Sequence, residues 1–129
     1  MTDQPDDLRA RGRAKMQEVY GFTVDDDHPN SGIPFVEEPL TQVFGDLWSR
    51  PGLTVHERRL LTIGVACALG RQDILEIQFS SGLTIGELTK EQIDEIVLHL
   101  AYYAGWPNGT TALQASIEAT RPKEAREPA

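Results

Sequence analysis

The stretch from Arg50 to Arg71, RPGLTVHERRLLTIGVACALGR, constrains this chain more than any other. A Pro-Gly turn opens it, Thr54 follows in an N-cap position, and Glu57 comes three residues later. That spacing predicts a capping box, in which each side chain satisfies an amide left over in the first helical turn. From Leu60 to Leu69 there is no charge, and apolar residues fall on every face of a helix. A surface helix carries one apolar stripe, so a helix apolar all round is expected to be buried on all sides. The run is far shorter than the roughly 20 residues that cross a bilayer. The expectation is a central core helix with the rest of the chain as its cover.

The cover also reads as helical. Asp6 to Tyr20 is a weakly amphipathic helix ending at Gly21, followed by a loop containing Asp25-Asp26-Asp27 and His28-Pro29-Asn30-Ser31-Gly32. Leu40, Val43, Phe44, Leu47 and Trp48 recur at helical spacing between Pro39 and Pro51. Gly70 is placed to cap the central helix, and Gln72 or Asp73 to open the next, which carries Ile74, Leu75, Ile77 and Phe79 to about Gly86. Thr89 and Gln92 form a second capping-box pair, before a stripe of Ile93, Ile96, Val97, Leu100 and Ala104 that ends at Gly105. Pro107 suits the start of a last helix, Asn108 to Arg121. Residues 1–5 are expected to fray, and the tail PKEAREPA to lack structure. No useful period-2 alternation occurs, so the fold class is all-α, with about six helices.

Two faces of the Thr89 helix are apolar. At about 100° per residue, Leu98 and Tyr102 lie opposite the Ile93/Val97/Leu100 stripe. A monomer would leave them in water, so a homo-oligomer is expected. The net charge of −8 argues against nucleic acid and against an anionic membrane surface. The single cysteine, Cys67, excludes an intrachain disulfide and a Cys-x-x-Cys pair. The first residues have no apolar core of a secretory signal, and a cytoplasmic location is expected.

Arg-Pro-Gly-Leu before the central helix, the helix closing on Gly86, LTKEQIDEI and Tyr103-Ala104-Gly105-Trp106-Pro107 together resemble the carboxymuconolactone decarboxylase family. Phe44-Gly45-Asp46-Leu47-Trp48 strengthens the match. The resemblance covers about Pro39 to Ala119, which places the family-like domain at 37–121, an N-terminal helix and acidic loop at 1–36, and a disordered tail at 122–129. It implies the all-α fold shared with the alkyl hydroperoxide reductase D-like proteins, assembled as homotrimers or homohexamers. In the thiol-peroxidase branch a glutamate on the central helix precedes Cys-x-x-Cys-x-x-x-His. On that pattern Arg59 stands at the glutamate, Arg71 and Ile74 at the cysteines, and Gln78 at the histidine. A dithiol relay needs an attacking thiolate and a resolving thiol, and this chain has neither. It resembles a divergent member without the Cys-x-x-Cys motif. The decarboxylase branch also carries a histidine where Gln78 stands; glutamine cannot titrate, but it can hydrogen-bond a carboxylate or lactone carbonyl.

The candidate residues follow. Gln78 is an amide placed to orient a substrate, or else an interface amide; Glu76 beside it is expected to be solvated. His99 and Tyr103 share a helical face and form a candidate proton-transfer pair, or an interface pair. Trp106 would wall a pocket or fill the core. Arg50, Arg58, Arg59 and Arg71 bracket the central helix; Arg50 and Arg71 are the substrate-binding candidates, since a guanidinium fork matches a carboxylate, and ion pairing with the surplus acids is the plainer role. His28, His56 and His99 lie on separate elements, so no metal site is expected, and no cofactor. The resulting expectation is a cofactor-free lyase acting on a small unsaturated or lactone-type organic acid, with His99, Tyr103 and Gln78 catalytic. The alternatives are a non-catalytic ligand-binding or structural oligomer of the same fold, and thiol-dependent peroxidase activity resting on Cys67.

Overall fold

The computed structural model describes residues 5–122, so residues 1–4 and 123–129, where fraying and a disordered tail are expected, lie outside the described residues. The described residues form six α-helices, a π-helical turn and a 3-10 turn, with no strand among them. None of these helices is long and apolar enough to cross a membrane. The chain divides into two compact units, Met1–Arg58 and Arg59–Ala129.

The first unit holds α1 (Pro5–Tyr20), α2 (Pro34–Glu38), a π-helical turn (Pro39–Phe44) and a 3-10 turn (Leu47–Ser49). The regular helix expected through Leu40–Trp48 is therefore broken into pieces. Pro39 has no amide hydrogen to continue α2 and its ring crowds the preceding turn. Hydrogen bonding widens to a five-residue step, with the Gly45 amide donating to the Leu40 carbonyl at 2.9 Å. The apolar spacing still identifies most of the inward side chains: Leu40, Phe44 and Trp48 are buried with Met16 and Val19, while Leu47 is exposed. The α1 backbone crosses this turn so closely that a Cβ on Gly12 would lie 1.6 Å from the Leu40 carbonyl oxygen. The acidic loop is tied to α1 by charge. Arg9 reaches both Glu37 oxygens at 3.0 Å and Asp26 at 2.9 Å, and Arg13 reaches Asp26 at 2.6 Å.

The second unit takes in most of α3 (Val55–Ala68), then α4 (Gln72–Thr84), α5 (Lys90–Ala104) and α6 (Trp106–Thr120). Both capping boxes form as expected. The Glu57 amide donates to Thr54 Oγ1 at 3.1 Å while the Thr54 amide donates to Glu57 Oε1 at 2.8 Å. Thr89 and Gln92 repeat the pattern at 3.1 and 2.9 Å. Helices α4 and α5 both pack on α6, whose buried face is made of Gly109, Ala112, Ala115, Ser116 and Ala119. Such small side chains let the axes approach, and a Cβ on Gly109 would fall 2.6 Å from that of Ala101. Ile63, Ala66, Cys67, Leu75, Phe79, Leu88 and Ile93 complete the core.

One expectation about α3 is corrected. The helix buries a single face; Leu61 and Val65, with Leu69 just beyond its end, are 61%, 60% and 70% exposed. Its buried residues are Arg59, Ile63, Ala66 and Cys67, which share that face. On α5, Leu98 and Tyr102 are likewise exposed, on the face that sequence marked as lacking a partner.

Candidate functional site

The capping box at Thr54 sets the register of α3, and that register turns Arg59 inward with Ile63 and Ala66, four and seven residues on. Arg59 is 0% exposed, the largest fully buried side chain among the described residues. A buried charge requires an opposite charge and further hydrogen bonds to persist. Both are supplied within this unit. Arg59 Nε donates to Glu87 Oε1 at 2.9 Å, and Nη1 donates to Gln78 Oε1 at 3.0 Å and to the Gln78 carbonyl oxygen at 3.4 Å. Gln78 lies on α4 next to Phe79, both of them buried, with its amide oxygen turned toward the cation. Glu87 comes from the loop after α4, directly beyond Gly86, whose φ of 78° turns the chain out of the helix.

This cluster is a guanidinium fixed in a dry setting with acceptors of two kinds around it. Chemically it can bind a planar carboxylate, or stabilise negative charge that develops on a neighbouring oxygen. The two positions that the resemblance matched to a glutamate and a histidine are thus in direct contact, carrying an arginine and a glutamine. Glu87 was not singled out from sequence. A signal for it existed: it is the one acid between Glu76 and Glu91, placed just after a helix-ending glycine.

The other candidates lie elsewhere. His99 and Tyr103 stack with ring centroids 4.8 Å apart and an interplanar angle of 14°, on an exposed face of α5. Trp106, also exposed, meets Tyr102 edge-on at 5.6 Å. With Val97, Leu98, Ala101 and Leu113 it lines an open apolar groove of about 320 Å³ between α5 and α6, with Asp94 among its lining residues. Arg71 is held by Asp73 through bonds of 2.9 and 2.7 Å, which keep the Asp73 carboxyl below its ordinary range. Arg50 belongs to the first unit, where its exposed guanidinium is 3.6 Å from Asp46 and its carbonyl accepts from Arg58 at 3.2 Å. Cys67 is buried, with Sγ 3.5 Å from the Asn108 carbonyl oxygen, and burial pushes its thiol pKa up. Glu76 is half-buried on α4.

Comparison with known proteins places this site in context. The family model described as the carboxymuconolactone decarboxylase family matches residues 36–118. The chain is 41% identical over 75 residues to a 4-carboxymuconolactone decarboxylase of Acinetobacter baylyi, a match covering 58% of this chain and 55% of the relative. It is 31% identical over 102 residues to a nitrosuccinic acid decarboxylase of Metarhizium robertsii, covering 75% of this chain and 70% of that protein. The chain thus spans little more than half the length of the first relative. Arg59, Gln78 and Glu87 all fall inside the matched region, and the chain belongs to the carboxymuconolactone decarboxylase family.

Proposed function

We propose that the protein is a cofactor-independent lyase acting on a small unsaturated or lactone-type organic acid, by decarboxylation or closely related proton transfer. The observation that carries the reading is kinship across residues 36–118 with proteins named for decarboxylation. In the reaction the bond to the departing carboxylate breaks and its electron pair moves into a conjugated carbonyl, or into the nitro group where nitrosuccinate is the acid. CO2 leaves, and a proton is then added to the carbon. His99, stacked on Tyr103, is the proposed proton source, an exposed imidazole being able to pass a proton to carbon. Gln78 orients the substrate carbonyl, Trp106 walls the apolar side, and Arg71 meets a carboxylate. Assembly into a homotrimer or homohexamer would cover Leu61, Val65 and Leu69, and would enclose the His99–Tyr103 pair.

The test is CO2 release by the purified protein from 4-carboxymuconolactone and from nitrosuccinate. Release from either, lost in His99→Gln, is expected. Folded protein inert toward both would favour the second reading, a non-catalytic oligomer of the same fold. That reading draws on the way Arg59 is already bonded to Glu87 and Gln78. Peroxidase chemistry would have only Cys67 to use, a buried thiol with a raised pKa.

A further inference from the structure

The Arg59–Glu87 pair is asymmetric in its access to water. The Arg59 side chain is 0% exposed, whereas that of Glu87 is 13% exposed. The Glu87 side chain is therefore the member of the pair that solvent reaches, although its second oxygen, Oε2, is buried. Glu87 is also delivered by a loop rather than by a packed helix, held there by its amide donating to the Gly82 carbonyl at 2.9 Å. Behind the carboxylate stand the guanidinium and the buried Gln78 amide, with Arg59 Nη1 bound to Gln78 at 3.0 Å independently of Glu87. If Glu87 were withdrawn, Arg59 would keep its position, and the opening left would have the shape of a carboxylate and a cationic floor.

A buried ion pair is a poor device for stability alone, because the attraction barely returns what desolvation costs, and apolar replacements of similar volume are often more stable. Arginine suits reversible carboxylate recognition better, since its fork presents fixed donors to whichever planar anion arrives. The geometry points to Arg59 as a carboxylate-binding residue whose site is occupied by the chain's own Glu87, so that a small acid ligand enters by exchange with that side chain. The inference deepens the reading that the substrate is an organic acid and rests on it for the identity of the natural ligand. It assigns roles to Arg59 and Glu87, which the family resemblance leaves without one. Exchange makes and breaks no covalent bond: one carboxylate replaces another on Arg59 Nε, and the net charge at the site is unchanged.

The experiment uses the full chain and needs no turnover. Thermal unfolding of Glu87→Ala is followed while sodium formate is titrated against sodium chloride at equal ionic strength. A saturable rise in Tm of several degrees with formate, at least tenfold larger than in the wild type, is expected. The same titration of Arg59→Met/Glu87→Ala should be flat. No formate-specific rise in folded Glu87→Ala, or a rise that survives the loss of Arg59, would overturn the inference. Should Glu87→Ala fail to fold, Glu87→Gln keeps an acceptor for Arg59 Nε. Carbon-13 formate should then bind it at least tenfold more tightly than it binds the wild type, and equal or weaker binding would refute exchange. A flat formate response beside intact CO2 release would remove this inference alone. Formate binding without CO2 release would remove the proposed reaction alone.

Discussion

Nη1 of Arg59 lies 3.0 Å from Oε1 of Gln78, joining α3 to α4 inside the second unit. Neither side chain can act as an acid or base near neutrality, so this contact positions groups and holds charge. It fixes a guanidinium in the core, and the energetic consequence is large. Arg59→Met would leave the mostly buried Glu87 carboxylate without its guanidinium, at a cost of about 3 kcal/mol or more. The double variant Arg59→Met/Glu87→Leu should recover most of that loss, because it removes both charges. Urea unfolding of the two variants and the wild type measures the difference; equal stability of single and double variants would contradict it.

The proposed proton source gives the opposite pattern. His99 and Tyr103 are exposed on α5, so His99→Gln and Tyr103→Phe should leave the stability of the isolated chain within about 0.5 kcal/mol. Activity should fall by about a hundredfold or more in His99→Gln if imidazole supplies the proton. Thermal unfolding and CO2 release, measured on the same samples, separate the two effects.

Close helix approach makes Gly109 sensitive. A Cβ there would come within 2.6 Å of the Ala101 Cβ, with backbone of α5 at 2.8 Å, so α5 and α6 must move apart. Gly109→Ala should therefore destabilise by about 1–3 kcal/mol despite the better helix propensity of alanine. A stabilised variant in chemical denaturation would show that the two helices slide freely.

The first unit should weaken in acid. Asp26 and Glu37 are held below their ordinary values of 3.8 and 4.5, chiefly by hydrogen bonds from Arg13 and Arg9 respectively. A carboxyl lowered in the folded state binds fewer protons there than when unfolded. Its stabilisation is present above the ordinary value and is lost as pH falls through the lowered one. Amide protection factors in the 21–33 loop, with the intrinsic pH dependence of exchange divided out, should fall below about pH 4. Replacing Arg9 by Met should flatten that dependence, and an unchanged profile would remove Arg9 from the account.

Local chemistry made much of this protein legible in its sequence. Thr54 with Glu57 and Thr89 with Gln92 announced helix starts because a cap is decided within four residues. Gly70 and Gly105 announced ends because both adopt positive φ, which a side chain resists. The α5 stripe announced its buried face, and the motifs between Phe44 and Trp106 announced the family. Tertiary structure alone decided the rest. Pro39 turned an expected helix into a π turn against the α1 backbone, where Gly12 admits a contact that no local rule foresees. Apolar residues on every face of α3 could not say which of them this chain covers, and Leu61, Val65 and Leu69 stayed outside. Above all, Arg59 and Glu87 are 28 residues apart. Helical periodicity places each residue on its own segment, but only the packing of α3, α4 and the following loop brings the cation and the carboxylate together.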